Sequence, residues 1–163
     1  MQSNIGMDQT GTIDLNTVTG KVLALHGLLD QAMQAAIERI WEQTDQLDTD
    51  VEHAPPGVRP HITLGSWLVP EVPPGLLERL AVAMSSLPSV SLRLALRLGA
   101  RERAYLSLVP VMQHDTLTWH EHVHATVGAI GTPHRPSDFP GKWNPHVSLL
   151  NCEVDALADV YDA

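Results

Sequence analysis

The chain carries two copies of one short pattern, Pro60-His61-Ile62-Thr63-Leu64 and Pro145-His146-Val147-Ser148-Leu149. Side chains two apart on a β-strand share a face. Each copy would therefore present an imidazole beside a hydroxyl, with Ile62 or Val147 anchoring the opposite face in a core. Histidine, whose ordinary pKa is ~6.5, is the side chain best suited to proton transfer at neutral pH. Two such rings across a cleft can divide the roles of general base and general acid. Two hydroxyls can donate hydrogen bonds to the non-bridging oxygens of a phosphate held between them. That chemistry asks for no metal and no other cofactor. One His-x-Thr triplet arises often by chance, but two copies, each preceded by Pro and followed by Leu, point to a shared task. Near the motifs, Arg59, Arg135 and Lys142 fall in loops from which they could meet phosphate charge. Trp67 and Trp143 could stack on a nucleobase, although core or rim packing is the commoner use of such residues.

A second arrangement competes. His120-Glu121-His122-Val123-His124 satisfies the H-E-x-x-H pattern of zinc proteases on a helix. Helical spacing brings His120 and His124 to one side. There they flank the apolar stripe of Trp119, Val123 and Val127, so they are expected to point sideways toward solvent. The extended zinc motif needs Gly and His where Val127 and Ile130 stand. The metalloprotease reading is therefore the remote one, and a solvated face carrying His114, His120, His122 and His124 is the plainer reading.

The elements that must position these residues follow from local pattern. Residues 1–20 read as a loose arm or small hairpin, and 21–29 as a strand. Asp30 should cap a helix over 31–47 with Met33, Ile37, Ile40, Trp41, Thr44 and Leu47 inward. A strand over 59–69 should follow the acidic loop. A helix opening at Pro73 or Pro74 should run to Leu87, with Leu76, Leu77, Leu80, Met84 and Leu87 on one face. Val90, Leu92, Leu94, Leu96 and Leu98 alternate with polar or small residues, the period of a half-buried strand. A strand over 103–111, a helix from Asp115 or Thr116 to Ile130 and a strand over 142–152 complete the series. Strand, helix, loop, Pro-His and strand thus occur twice, over 21–61 and 103–146. Two such units usually pack about an approximate twofold axis, which would face the two His strands to one cleft.

At 163 residues with 44% hydrophobic and 18% charged residues, the chain can bury one core. No run reaches the ~18 apolar residues of a membrane span, the start lacks a signal-peptide pattern, and the single Cys152 cannot form an internal disulfide. A cytoplasmic setting without membrane contact is expected, with Cys152 a small buried residue. A net charge of -9 opposes binding to long duplex nucleic acid, so a nucleotide or short RNA fits better.

On the two Pro-His-x-[Thr/Ser]-Leu motifs and the helix before each, residues 21–152 resemble the 2H phosphoesterase superfamily. This includes the 2'-5' RNA ligase-like proteins and the cyclic phosphodiesterases. The resemblance implies an α+β fold of two pseudo-symmetric lobes over 21–163, with antiparallel-rich sheets around a central cleft. It also implies chemistry on 2',3'-cyclic phosphates or 2'-5' phosphodiester bonds. His61, Thr63, His146 and Ser148 match the family's catalytic positions. The chain departs from the family in stopping soon after Cys152, where members continue with a helix and a closing strand. The N-terminal segment near Thr12 to Leu15 or a second copy of the chain would supply the substitute. A catalytically silent module that binds a nucleotide or RNA end is the alternative.

Overall fold

The computed structural model describes residues 2–7, 13–16, 22–47, 49–128 and 131–162. Its strands are β1 (Gln2–Met7), β2 (Ile13–Asn16), β3 (Val22–Leu28), β4 (Val51–Glu52), β5 (His61–Leu68), β6 (Leu92–Leu98), β7 (Arg103–Pro110), β8 (Thr132–Pro133) and β9 (Val147–Glu153). Its helices are α1 (Gln31–Thr44), α2 (Leu76–Met84), α3 (His114–Val127) and α4 (Leu157–Asp162). The fold class is α+β, as expected. One sheet runs β2-β1-β3-β5-β8 and the other β4-β9-β7-β6. Every pair in the second sheet is antiparallel, whereas β1 lies parallel to β3 in the first.

The chain forms two compact units, the first from Met1–Leu28, Ile62–Ser91 and Val111–Pro145, the second from Leu29–His61, Leu92–Pro110 and His146–Ala163. The strand-helix-strand repeats do not each build their own unit. Strand β3 and all of β5 after His61 join the first unit while their helix α1 joins the second. Strands β7 and β9 join the second unit while their helix α3 joins the first.

The first unit holds a core of Leu23, Leu25, Leu64, Trp67, Leu80, Trp119, Val123 and Val127, among others, with Ile62 packed against it. Helix α2 starts later than the prolines suggest, at Leu76 after Gly75, whose φ of 69° is left-handed backbone that glycine adopts without the Cβ penalty. Helix α3 ends at Val127, where Gly128 with φ 63° turns the chain. Ile130, Thr12 and Lys21 lie outside the described residues.

In the second unit Asp30 caps α1 as expected, its carboxylate accepting from Met33 N–H at 2.8 Å. The buried face of α1 is Gln34, Ile37, Trp41 and Thr44. The register of β7 against β9 shifts by one residue, pairing Leu106 with Leu150 and Ser107 with Ser148, so Leu149 is a bulge. Because a bulge inverts the alternation of a strand, Val147 before it, Leu149 itself, and Leu150 and Cys152 after it are all buried. The bulged carbonyl accepts the Trp41 indole N–H at 2.6 Å. The core-facing side of β9 therefore meets α1. A helix ~10 Å across covers about two strands, so the edge strand β6 lies beyond its reach. The leucines expected to be half-buried are instead open, with Leu94, Leu96 and Leu98 exposed at 60%, 54% and 65%. The strand expected over 142–152 begins only at Val147, so Lys142 and Trp143 belong to the preceding turn.

Replacing Trp41 by Phe keeps most of the ring but leaves the buried Leu149 carbonyl without its donor. Urea unfolding should show a loss of about 1–3 kcal/mol, with far-UV circular dichroism unchanged. A loss below a few tenths would mean that the bulge does not depend on this bond.

Candidate active site

On β9 the bulge decides which side chains face outward: Val147 is buried at 1%, while His146 and Ser148 on either side of it are exposed. The expected pairing of imidazole and hydroxyl with an apolar anchor between them is present here. On β5, His61, Ile62 and Thr63 are all half-buried, and Ile62 packs against the core of the first unit. His61 belongs to the second unit with His146 and Ser148, while Thr63, two residues along the same strand, belongs to the first.

The structure brings His61 and His146 within electrostatic range of each other. The His61 pKa is lowered from 6.5, chiefly by burial and in lesser part by His146, while a hydrogen bond to the Arg59 carbonyl opposes the shift. A carbonyl oxygen only accepts, so the 2.8 Å bond to it requires a proton on His61 Nδ1. The neutral ring then carries its lone pair on Nε2. Arg59 itself is tied to α1, donating from Nε to Gln34 Oε1 at 2.9 Å. Arg135 and Lys142 are exposed residues of the first unit.

Two sequence expectations are corrected. Trp67 is 2% exposed and belongs to the core, against Phe139 and His124, so it is no base-stacking surface. His120 and His124 do not turn to solvent: His120 is 1% exposed, and the two Nε2 atoms lie 2.7 and 2.8 Å from the Leu64 carbonyl. Both nitrogens must therefore carry protons and donate. Strand β8 explains why the carbonyl needs them. Carbonyls two residues apart on a strand point the same way. The Ser66 carbonyl accepts from His134 N–H beside β8, whose register with β5 covers only Trp67 and Leu68. Leu64 O thus points past the end of β8, where the two α3 rings replace the missing strand. Trp143 stacks on His120 at 3.8 Å and 3° and donates from its indole to the Thr63 carbonyl at 3.0 Å. The H-E-x-x-H pair is thus a tether for a motif strand, and among the described residues no group of three or more His, Cys, Asp or Glu is disposed to hold a metal ion.

Leu64 and Leu149 are the same position of the two motifs. Each offers its carbonyl to ring N–H groups on a helix, of α3 in the first unit and of α1 in the second. Sequence reasoning missed this tether, although Thr116, Trp119, His120, Val123 and Val127 do form one helical stripe and all are buried. It also missed Ser107, which the register sets directly opposite Ser148. Cys152 is buried as expected, and burial pushes its thiol pKa up.

No family model matches the chain, and no curated protein matches it either. Among solved structures, that of Kluyveromyces marxianus Usb1 is similar at 15% identity and a TM-score of 0.43, covering 88% of this chain and 83% of that one. Among the described residues, no helix is long and apolar enough to cross a membrane.

Burial lowers the pKa of His120 to about 4 and also lowers that of His124. The unfolded rings, at 6.5, bind protons that the folded rings refuse. Stability should therefore be full above pH 6.5 and fall as the pH drops toward 4, by up to about 1.4 kcal/mol per pH unit from His120, with His124 adding to the fall in the same direction. Urea titrations between pH 4 and 8 should show this slope, and His120→Gln should flatten it. An unchanged slope in the variant would remove His120 as its source.

Proposed function

We propose that this chain is a metal-independent phosphoesterase that acts on 2',3'-cyclic phosphate or 2'-5' phosphodiester bonds in nucleotides or short RNA. The observation that carries the reading is the pairing of His61 and His146 within electrostatic range, with the His61 ring oriented by the Arg59 carbonyl so that Nε2 bears its lone pair. Two imidazoles near one another, each two residues from a hydroxyl, are suited to acid–base chemistry on a tetrahedral oxyanion. The lowered His61 pKa favours the neutral ring and supports a role for it as the base.

In hydrolysis of a cyclic phosphate, His61 Nε2 takes a proton as the water oxygen bonds to phosphorus. The bond from phosphorus to the leaving ribose oxygen breaks, and His146 donates the proton that this oxygen acquires. One water is consumed, and the two rings have exchanged protonation states, which bulk solvent restores. Ser148, in the same unit as both histidines, donates a hydrogen bond to a non-bridging oxygen, where negative charge is held in the transition state, and Thr63 is the matching hydroxyl of the first motif. Arg59, tethered by Gln34, is suited to contribute positive charge near His61.

Turnover of nucleoside 2',3'-cyclic phosphates should persist in EDTA and fall by roughly 10²–10⁴-fold in His61→Ala and in His146→Ala. Retained turnover in either variant would overturn the two-histidine reading, and binding without turnover by the wild type would favour the silent module. The acidic limb of the kcat/KM profile should lie below pH 6.5, because His61 must be neutral. In His146→Ala the NMR titration of His61 should move upward, since a neighbouring cation no longer opposes its protonation. A downward or absent shift would deny the coupling.

A further inference from the structure

The open face of the second unit's sheet is laid out in rows by its register. Ala95 on β6, Ser107 on β7 and Ser148 on β9 form one row. The next row, two residues on, is Arg97, Tyr105 and Asn151, about 7 Å away along the strands. The first row contains only small side chains, so it forms a shallow trough leading from the motif serine to the second row. At the end of that trough the Arg97 guanidinium lies over the Tyr105 ring, 4.8 Å from its centroid. A Cβ at Gly99 would run into the Tyr105 ring, so the ring leans into space that only glycine leaves open. On the other side Asn151 is fixed, accepting from Arg103 Nε at 2.9 Å and donating to Glu52 Oε2 at 2.8 Å. Arg103 is itself engaged by Asp50 and Glu52. Arg97 is exposed and in none of these ion pairs, although the chain as a whole carries a charge of -9.

We propose that Arg97, backed by Tyr105, is a stacking platform for the base of a second nucleotide, which makes the preferred substrate a short oligonucleotide rather than a mononucleotide. This rests on the phosphoesterase reading, which seats the reacting phosphate at Ser148. Arg97 lies two strands across and one row along from Ser148, about 12 Å away by strand spacing and rise, so it faces the base of the adjoining nucleotide rather than the reacting phosphate. A planar guanidinium, itself held by an aromatic ring, is a surface on which nucleobases stack. Stacking tolerates any base, so the subsite selects length rather than sequence.

The test compares a nucleoside 2',3'-cyclic phosphate with the matching dinucleotide that ends in a 2',3'-cyclic phosphate. Wild type should favour the dinucleotide by roughly ten- to hundredfold in kcat/KM, the size of one base stack. Tyr105→Ala and Arg97→Ala should collapse the ratio toward one, with folding checked by thermal melting. Tyr105→Phe, which keeps the ring, should retain the ratio, and Arg97→Lys, which keeps charge without the plane, should lose most of it. A ratio unmoved by Tyr105→Ala and Arg97→Ala, or preserved in Arg97→Lys, overturns the stacking platform. If wild type turns over neither compound, the phosphoesterase reading fails, and calorimetric binding of the 3'-phosphorylated mononucleotide and dinucleotide judges the subsite alone. Tighter dinucleotide binding that Tyr105→Ala abolishes supports it, and equal binding overturns it.

Discussion

A buried backbone carbonyl must find a donor, and the carbonyl that follows each four-residue Pro-His-x-hydroxyl segment lies where the sheet alone does not supply one. At Leu64 the neighbouring strand is too short; at Leu149 a bulge breaks the ladder. Both are answered by ring N–H groups on helices, His120 and His124 in one unit and Trp41 in the other. An indole or imidazole rigidly packed in a core fixes the carbonyl it binds. The peptide plane carries that constraint back to the hydroxyl residue just before it. In both units the tether therefore holds the strand segment that carries the candidate chemistry.

The bulge at Leu149 has a second effect. Without it, the alternation that turns His146 and Ser148 outward would bury Asn151 and Glu153 and expose Leu150 and Cys152. Inserting one residue resets the phase, so the same strand buries Leu149, Leu150 and Cys152 and keeps Asn151 available for the ion-pair network of Arg103. Outward presentation of the serine and a continuous apolar underside for α1 are thus reconciled within seven residues.

The two histidines of the motifs sit in unlike surroundings. His61 is half-buried, held through Nδ1 by a carbonyl of its own loop and pressed toward neutrality. His146 is exposed at the entry to β9. Differing environments around chemically identical groups are how a site acquires distinct acid and base partners. Here the difference arises from chain position: His61 opens a strand whose following residues are buried on both faces, whereas His146 precedes a single buried anchor, Val147, with Ser148 exposed beyond it.

The sequence by itself determined the local facts. Asp30 caps α1, Pro60 and Pro145 precede the motif strands, Val147 is the buried anchor between two outward side chains, and Trp119, Val123 and Val127 face a core. These depend on short-range periodicity and on backbone preferences that few neighbours can override. Tertiary structure decided what depends on register and on partners distant in the chain. It sent α1 and α3 into units built by the other repeat's strands, and it turned the zinc-like His120 and His124 into donors to Leu64. It withdrew Trp67 into the core and left the leucines of β6 uncovered at a sheet edge. None of these can be read from spacing, because a periodic pattern states which face is apolar and not which element covers it.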